Sequence, residues 1–135
     1  MGGLILARGD TPANLEKFIN EASQCFAFQQ YNAVVSPCRT ILEVSVKDIS
    51  IKYGILQEDF HKVRQLDFYK TSLNNLIEEL SKFIQVKYLM PRLDWIRRKT
   101  NFMIHGNKSV TSSEAEAILK ETISSVKKLL ELKNV

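Results

Sequence analysis

The sequence predicts an all-α protein, an antiparallel bundle of four to five helices. Apolar residues recur at steps of three and four through most of the chain. Helix-start and helix-stop signals bracket those stretches. No stretch alternates as a half-buried strand does, and five Gly and three Pro in 135 residues are too few for a turn-dense β protein. At 44% hydrophobic and 25% charged, the composition is that of a globular domain and not of a disordered chain. Residues 1–10 read as a tail, disordered or left over from cloning, and residues 11–135 as the bundle.

Thr11 followed by Pro12 is an N-cap before a first-turn proline, and opens a helix over 12–28. Its inward positions are Leu15, Phe18, Ile19, Ala22, Cys25 and Phe26. A second helix over 31–53 carries Val34, Val35, Cys38, Ile41, Leu42, Val46, Ile49 and Tyr53. Pro37 sits in its first turn or kinks it, and Gly54 suits the position just past its end. Residues 55–70 are the least regular part, a short helix or a packed loop. Ser72 caps a third helix over 73–84, with Leu73, Leu76, Ile77, Leu80 and Phe83/Ile84 inward.

A fourth helix spans 89–105, with Pro91 in its first turn and Gly106-Asn107 as its stop. Thr111-Ser112-Ser113-Glu114 is a capping box that opens the fifth. Ala115, Ile118, Leu119, Ile123, Val126, Leu129 and Leu130 form its buried stripe. Lys127, Lys128 and Lys133 favour its C-terminal dipole end.

No apolar run reaches the length of a transmembrane helix, so no membrane partner is expected. Met1 to Ala7 lacks the basic start of a secretory signal, and a cytoplasmic location is expected. Two cysteines, Cys25 and Cys38, are too few for a disulfide framework and share no ligand spacing with a histidine. They read as reduced, packed thiols; no metal site and no cofactor is expected. His61 reads as a surface histidine. The net charge of +4 fits an anionic partner such as nucleic acid.

The densest chemistry lies in Ile96-Arg97-Arg98-Lys99-Thr100-Asn101-Phe102-Met103-Ile104-His105-Gly106. At about 100° per residue, Asp94, Arg98, Asn101 and His105 project within about 60° of one another, with Arg97 at the edge. Leu89, Leu93, Ile96, Thr100, Met103 and Ile104 fall on the opposite side. One helix therefore buries an apolar face and holds an Arg/Asn/His stripe on the other. Metal-free RNA cleavage needs these side-chain types. The ribose 2′-hydroxyl attacks the adjacent phosphorus while the 5′-oxygen leaves. That requires a proton acceptor, a proton donor and cations for the phosphorane. Histidine serves in either proton role near neutral pH, and arginine offers phosphate a fork of donors. Two copies of the helix would supply the second histidine. The same residues also fit a plainer role, with Arg98 paired to Asp94 on a solvated face and Asn101 and His105 bonding backbone near the helix end.

The order of Ala33-Val34-Val35 with Arg39-Thr40-Ile41-Leu42-Glu43, then Leu76-Ile77-Glu78-Glu79-Leu80, then Ile96-Arg97 to Asn101 to His105-Gly106, then Glu114-Ala115-Glu116-Ala117, resembles the HEPN superfamily. The likeness is to its branch of uncharacterised domains found with restriction and defence genes, and it covers roughly residues 27–132. The signature is an arginine, a polar residue and a histidine, written Arg-x(4–6)-His. Many active members place arginine five residues before the histidine, where this chain has Thr100. Arg98 gives a gap of six, and Arg97 matches the pattern Arg-x-x-x-Asn-x-x-x-His.

The resemblance implies a four- or five-helix bundle that pairs into a homodimer. It implies metal-independent RNA cleavage in a defence or toxin–antitoxin setting. Other members bind RNA, nucleotide or a protein partner such as an antitoxin without catalysis. Carried over, His105 is the general acid/base, Arg97 or Arg98 the phosphate clamp, and Asn101 the polar residue between them. Glu43, one turn after Arg39, either orients an arginine of the fourth helix or forms a local ion pair. Trp95 and Phe102 serve as base-stacking platforms, a dimer contact or core. Lys99 adds charge beside them, with Lys82, Lys87 and Arg92 scattered nearby.

Overall fold

The computed structural model describes residues 13–56, 72–106 and 109–134, which form six helices. They are α1 (Ala13–Ala27), α2 (Asn32–Lys52), α3 (Leu73–Leu80), α4 (Ile84–Lys87), α5 (Met90–His105) and α6 (Ser112–Lys133). There is no strand among the described residues. The expected tail, the Thr11-Pro12 start, most of the irregular stretch with His61, and Asn107 lie outside them.

The local signals act as their chemistry dictates. The Ser72 hydroxyl accepts from the Asn75 amide at 3.1 Å and caps α3. The Thr111–Glu114 box is complete: the Glu114 amide donates to Thr111 Oγ1 at 3.2 Å, and the Thr111 amide to Glu114 Oε1 at 3.0 Å. At the end of α2, Gly54 takes φ +76°. There the Gly54 amide bonds the Ile51 carbonyl at 3.1 Å, and Ile55 that of Ser50 at 2.9 Å, a Schellman pair. The end of α1 repeats this geometry with Gln29 at φ 61°, where glycine is the usual choice.

Pro37 lies in the second turn of α2, not the first. Its missing N–H removes the bond to the Ala33 carbonyl, and Ala33 is exposed, so water can take that carbonyl.

Two apolar clusters make the core, and α2 feeds both. Leu15, Ile19 and Ala22 of α1 pack with Val34, Val35, Cys38 and Ile41 of α2 and with Ala115, Ile118, Leu119 and Val126 of α6. The second joins Leu42, Val46 and Ile49 of α2 to Leu76 and Leu80 of α3, Val86 of α4, and Leu93 and Ile96 of α5. Buried hydroxyls satisfy themselves within α2: Ser45 donates to the Ile41 carbonyl and Ser50 to that of Val46, each at 2.7 Å. Burial pushes the Cys38 thiol up to about 12, with the neighbouring Thr122 hydroxyl opposing.

Hydrogen bonds fix how the long helices run. Asn32 Oδ1, at the start of α2, accepts from the Val110 amide just before α6 at 2.8 Å. At the far end, Lys52 Nζ donates to the Leu132 and Lys133 carbonyls at 2.7 and 2.8 Å. So α2 and α6 lie side by side and parallel, and a lysine from α2 covers the C-terminal carbonyls of α6. Helix α5 runs against both. Arg92 near its start reaches Glu121 and, at 3.0 Å, Ser124 of α6, so this arginine is an interhelix tie and not scattered surface charge.

The expected helix over 73–84 ends at Leu80. The chain turns at Ser81–Phe83 and starts the single turn α4. That break shifts the register: Phe83 packs partly against the core, whereas Ile84 is 83% exposed and not inward.

Candidate functional site

Helix α5 carries the stripe, and its rotation is set by what it buries. Leu93, Ile96 and Thr100 are fully buried. The Thr100 hydroxyl sits 2.8 Å from the Ile96 carbonyl, its helix-internal acceptor. This leaves Arg98, Asn101 and His105 exposed on the polar shoulder, with Asp94 and Arg97 half-buried at its edge. The helix stops just past His105, at Gly106. The Gly106 amide bonds the Phe102 carbonyl at 2.8 Å, and a Cβ at this position would lie 2.8 Å from that same oxygen. Glycine is needed here by close approach, and the turn fixes where the histidine-bearing end of α5 leaves the bundle.

Asp94 organises the arginines. Its Oδ1 lies 2.8 Å from Arg97 Nε and its Oδ2 3.1 Å from Arg98 Nε. One carboxylate thus holds the Nε side of both guanidinium groups. Their Nη ends have no acceptor among the described residues. Arg97 is the more enclosed, its side chain 23% exposed against 64% for Arg98. Asn101 and His105 make no side-chain hydrogen bond among the described residues, so neither serves as a cap.

Glu43 bonds Arg39, not an arginine of α5: Arg39 Nε donates to Glu43 Oε1 at 2.8 Å. Arg39 then crosses to α5. Its Nη1 lies 3.2 Å from the Arg97 carbonyl and 3.4 Å from Thr100 Oγ1. In the sequence Arg39 stands out only as the partner of Glu43. Its reach to α5 depends on which α2 face meets α5, and no local pattern carries that.

The aromatics separate. Trp95 is half-buried and packs against both core clusters. It floors a groove of about 530 Å³ between α5 and α6 with Pro91, Arg92, Ala117, Lys120 and Glu121. Lys99 Nζ lies 6.0 Å from the centre of its ring. Of the expected roles, core packing is the one this placement describes. Phe102 is 62% exposed and Ile104 47%, on either side of His105's helical turn. Ile104 also lines a cavity of about 390 Å³ with Asn32, Val35, Ser36, Met103 and Val110, where α2 begins and α5 ends.

No group of three His, Cys, Asp or Glu side chains among the described residues could hold a metal ion. No described helix is long and apolar enough to cross a membrane. Compared with known proteins, the chain matches no family model, no curated protein and no solved structure.

Proposed function

We propose that this chain is a HEPN-like domain that pairs into a homodimer and cuts RNA without a metal, in a defence or toxin–antitoxin setting. The observation that carries the reading is the shoulder of α5. Arg98, Asn101 and His105 stand open to solvent within two turns, while Asp94 turns the Nη ends of Arg97 and Arg98 away from itself.

In this mechanism one imidazole takes the proton of the ribose 2′-hydroxyl. The O2′–P bond forms, the P–O5′ bond breaks, and a second imidazole gives its proton to the leaving O5′. The products are a 2′,3′-cyclic phosphate and a 5′-hydroxyl. Arg97 and Arg98 hold the non-bridging oxygens, and Asn101 orients the ribose or phosphate without adding charge. Each chain has a single histidine on this shoulder, so the acid and the base come from two copies. Exposed Phe102 and Ile104 beside His105 give such a pairing an apolar contact.

Two observations favour a second reading, an RNA- or nucleotide-binding or protein-partner module without turnover. Asp94 neutralises part of the arginine charge, and Thr100, where active relatives carry arginine, is buried.

Cleavage of a mixed RNA pool in EDTA separates the two. Wild type should leave cyclic-phosphate ends and His105→Ala none, with both variants folded. Retained cleavage at the wild-type rate in purified His105→Ala removes the histidine from the mechanism. Salt-sensitive binding without cleavage by either chain favours the second reading.

A further inference from the structure

A cation from another helix stands against the stripe on α5. Arg39 of α2 is a half-buried arginine, its side chain 21% exposed. Three contacts hold it: Nε to Glu43 at 2.8 Å, and Nη1 to the Arg97 carbonyl at 3.2 Å and Thr100 Oγ1 at 3.4 Å. Its Nη2 has no acceptor among the described residues. The Arg97 carbonyl is the helix-internal acceptor of Asn101, so the Arg39 guanidinium lies beside the turn from which Arg97 and Asn101 project.

The polar shoulder begins at the edge of α5 nearest α2, where Arg97 sits, and turns outward to solvent, with Asp94 lining a cavity beside Asn74, Ile77 and Glu78 of α3. Arg97, Asn101, Asp94, His105 and Arg98 follow one another around that shoulder, and Trp95, Lys99 and Arg92 lie on the other side, toward α6. Along the α2–α5 seam, Arg39 meets Arg97 and Thr100, while Ser36, one turn earlier, shares a cavity with Met103 and Ile104. Three guanidinium groups, of Arg39, Arg97 and Arg98, thus meet two carboxylates, of Glu43 and Asp94. In each case the acid takes Nε, and Nη2 of Arg39 and the Nη groups of Arg97 and Arg98 keep no acceptor among the described residues, an arrangement suited to an anion with several oxygens.

We propose that Arg39 is a phosphate-binding residue of the same site, and that the ligand, a single-stranded RNA, lies along the seam between α2 and α5 with one phosphodiester on Arg39 and its neighbour on Arg97 and Arg98. This rests on the RNA reading above and adds to it a residue from a second helix. Glu43 positions Arg39 by holding its Nε.

The test is the salt dependence of binding to a fluorescent single-stranded RNA, by anisotropy, with thermal melting of each variant. Each phosphate contact on a single strand contributes about 0.7 to the slope of log K against log salt. Arg39→Gln should lower the slope by about that amount and weaken binding about three- to tenfold at 0.1 M salt. Glu43→Gln removes a half-exposed carboxylate and should tighten binding by about twofold or more, which tests the assignment even where Arg39→Gln is too unstable to measure. Lys82→Gln, on an exposed lysine paired with Glu79 at the end of α3, should leave the slope unchanged.

Wild-type binding with an unchanged slope in folded Arg39→Gln makes Arg39 an interhelix tie alone and overturns this proposal while leaving the RNA reading standing. Weaker binding by Glu43→Gln overturns it likewise. Failure of the wild-type chain to bind RNA overturns both.

Discussion

Which α5 side chains are available depends on the rotation of that helix, and Thr100 tests the rotation directly. Many active members of the superfamily that the sequence resembles carry arginine at this position, so Thr100→Arg would create that short spacing to His105. The structure predicts that it unfolds the protein instead. Thr100 is 0% exposed, with Arg39 Nη1 3.4 Å from its hydroxyl. A guanidinium built at this position enters the core beside an existing one. Two like charges about 4 Å apart repel by about 4 kcal/mol at an effective dielectric of 20. Desolvating the new ion adds several kcal/mol more. The sum reaches the whole stability of an ordinary domain, about 5–15 kcal/mol.

Thr100→Val is the matched control. It keeps the shape, removes the bond to the Ile96 carbonyl and the oxygen facing Arg39, and leaves Arg39 its Arg97 acceptor. That should cost about 1 kcal/mol, and lower Tm by about 3–5 °C for a chain of this size. Circular dichroism melts and urea titration read both variants. A cooperative melt for Thr100→Arg within a few degrees of wild type would mean that this face of α5 is not buried. The site assignment would then fail with it.

Three further outcomes follow from local observations. Gln29 ends α1 in the left-handed region at φ 61°, so Gln29→Gly should stabilise the chain by up to about 1 kcal/mol, read as a rise in Tm; a fall would refute the strained cap. For Cys38, burial raises the thiol from 9.0 to about 12, so the folded state favours the protonated form. Its contribution is fully present below pH 9 and is lost as pH rises toward 12. Unfolding titrations should show this alkaline loss in wild type and not in Cys38→Ala. At pH 8 a thiol reagent should label half-buried Cys25 well before Cys38, and equal rates would contradict the burial.

The helices were legible because their signals are local. Ser72, Gly54 and the Thr111–Glu114 box each satisfy amides or carbonyls within a few residues, so a sequence window contains both partners. The same holds for most of the buried face of α5, Leu93, Ile96 and Thr100, but not for Ile104, expected on that face and 47% exposed near the helix end, where the bundle no longer covers it. The break at Ser81 was not legible. Leu80, Phe83 and Ile84 keep helical spacing through it, and only the packing of Phe83 against Tyr53, ring centres 4.8 Å apart, marks the change of direction. The parallel course of α2 and α6 rests on contacts such as Lys52 to Leu132 and Lys133, eighty residues apart and invisible to any window.

The site divides along the same line. Asp94, Arg97, Arg98, Asn101 and His105 lie on one helix, so their common shoulder follows from spacing. Arg39 and Glu43 also pair within one helix, and that pair alone is an ordinary surface contact worth a few tenths of a kcal/mol. What changes its meaning is the Arg97 carbonyl 3.2 Å away, a contact made by two helices. An arginine that caps nothing within its own helix, and is held by an acid on its Nε side, has been turned toward something. Here it is turned toward the backbone from which the α5 stripe projects. That is why the α2–α5 seam, and not α5 alone, is the surface on which an RNA phosphate should be sought.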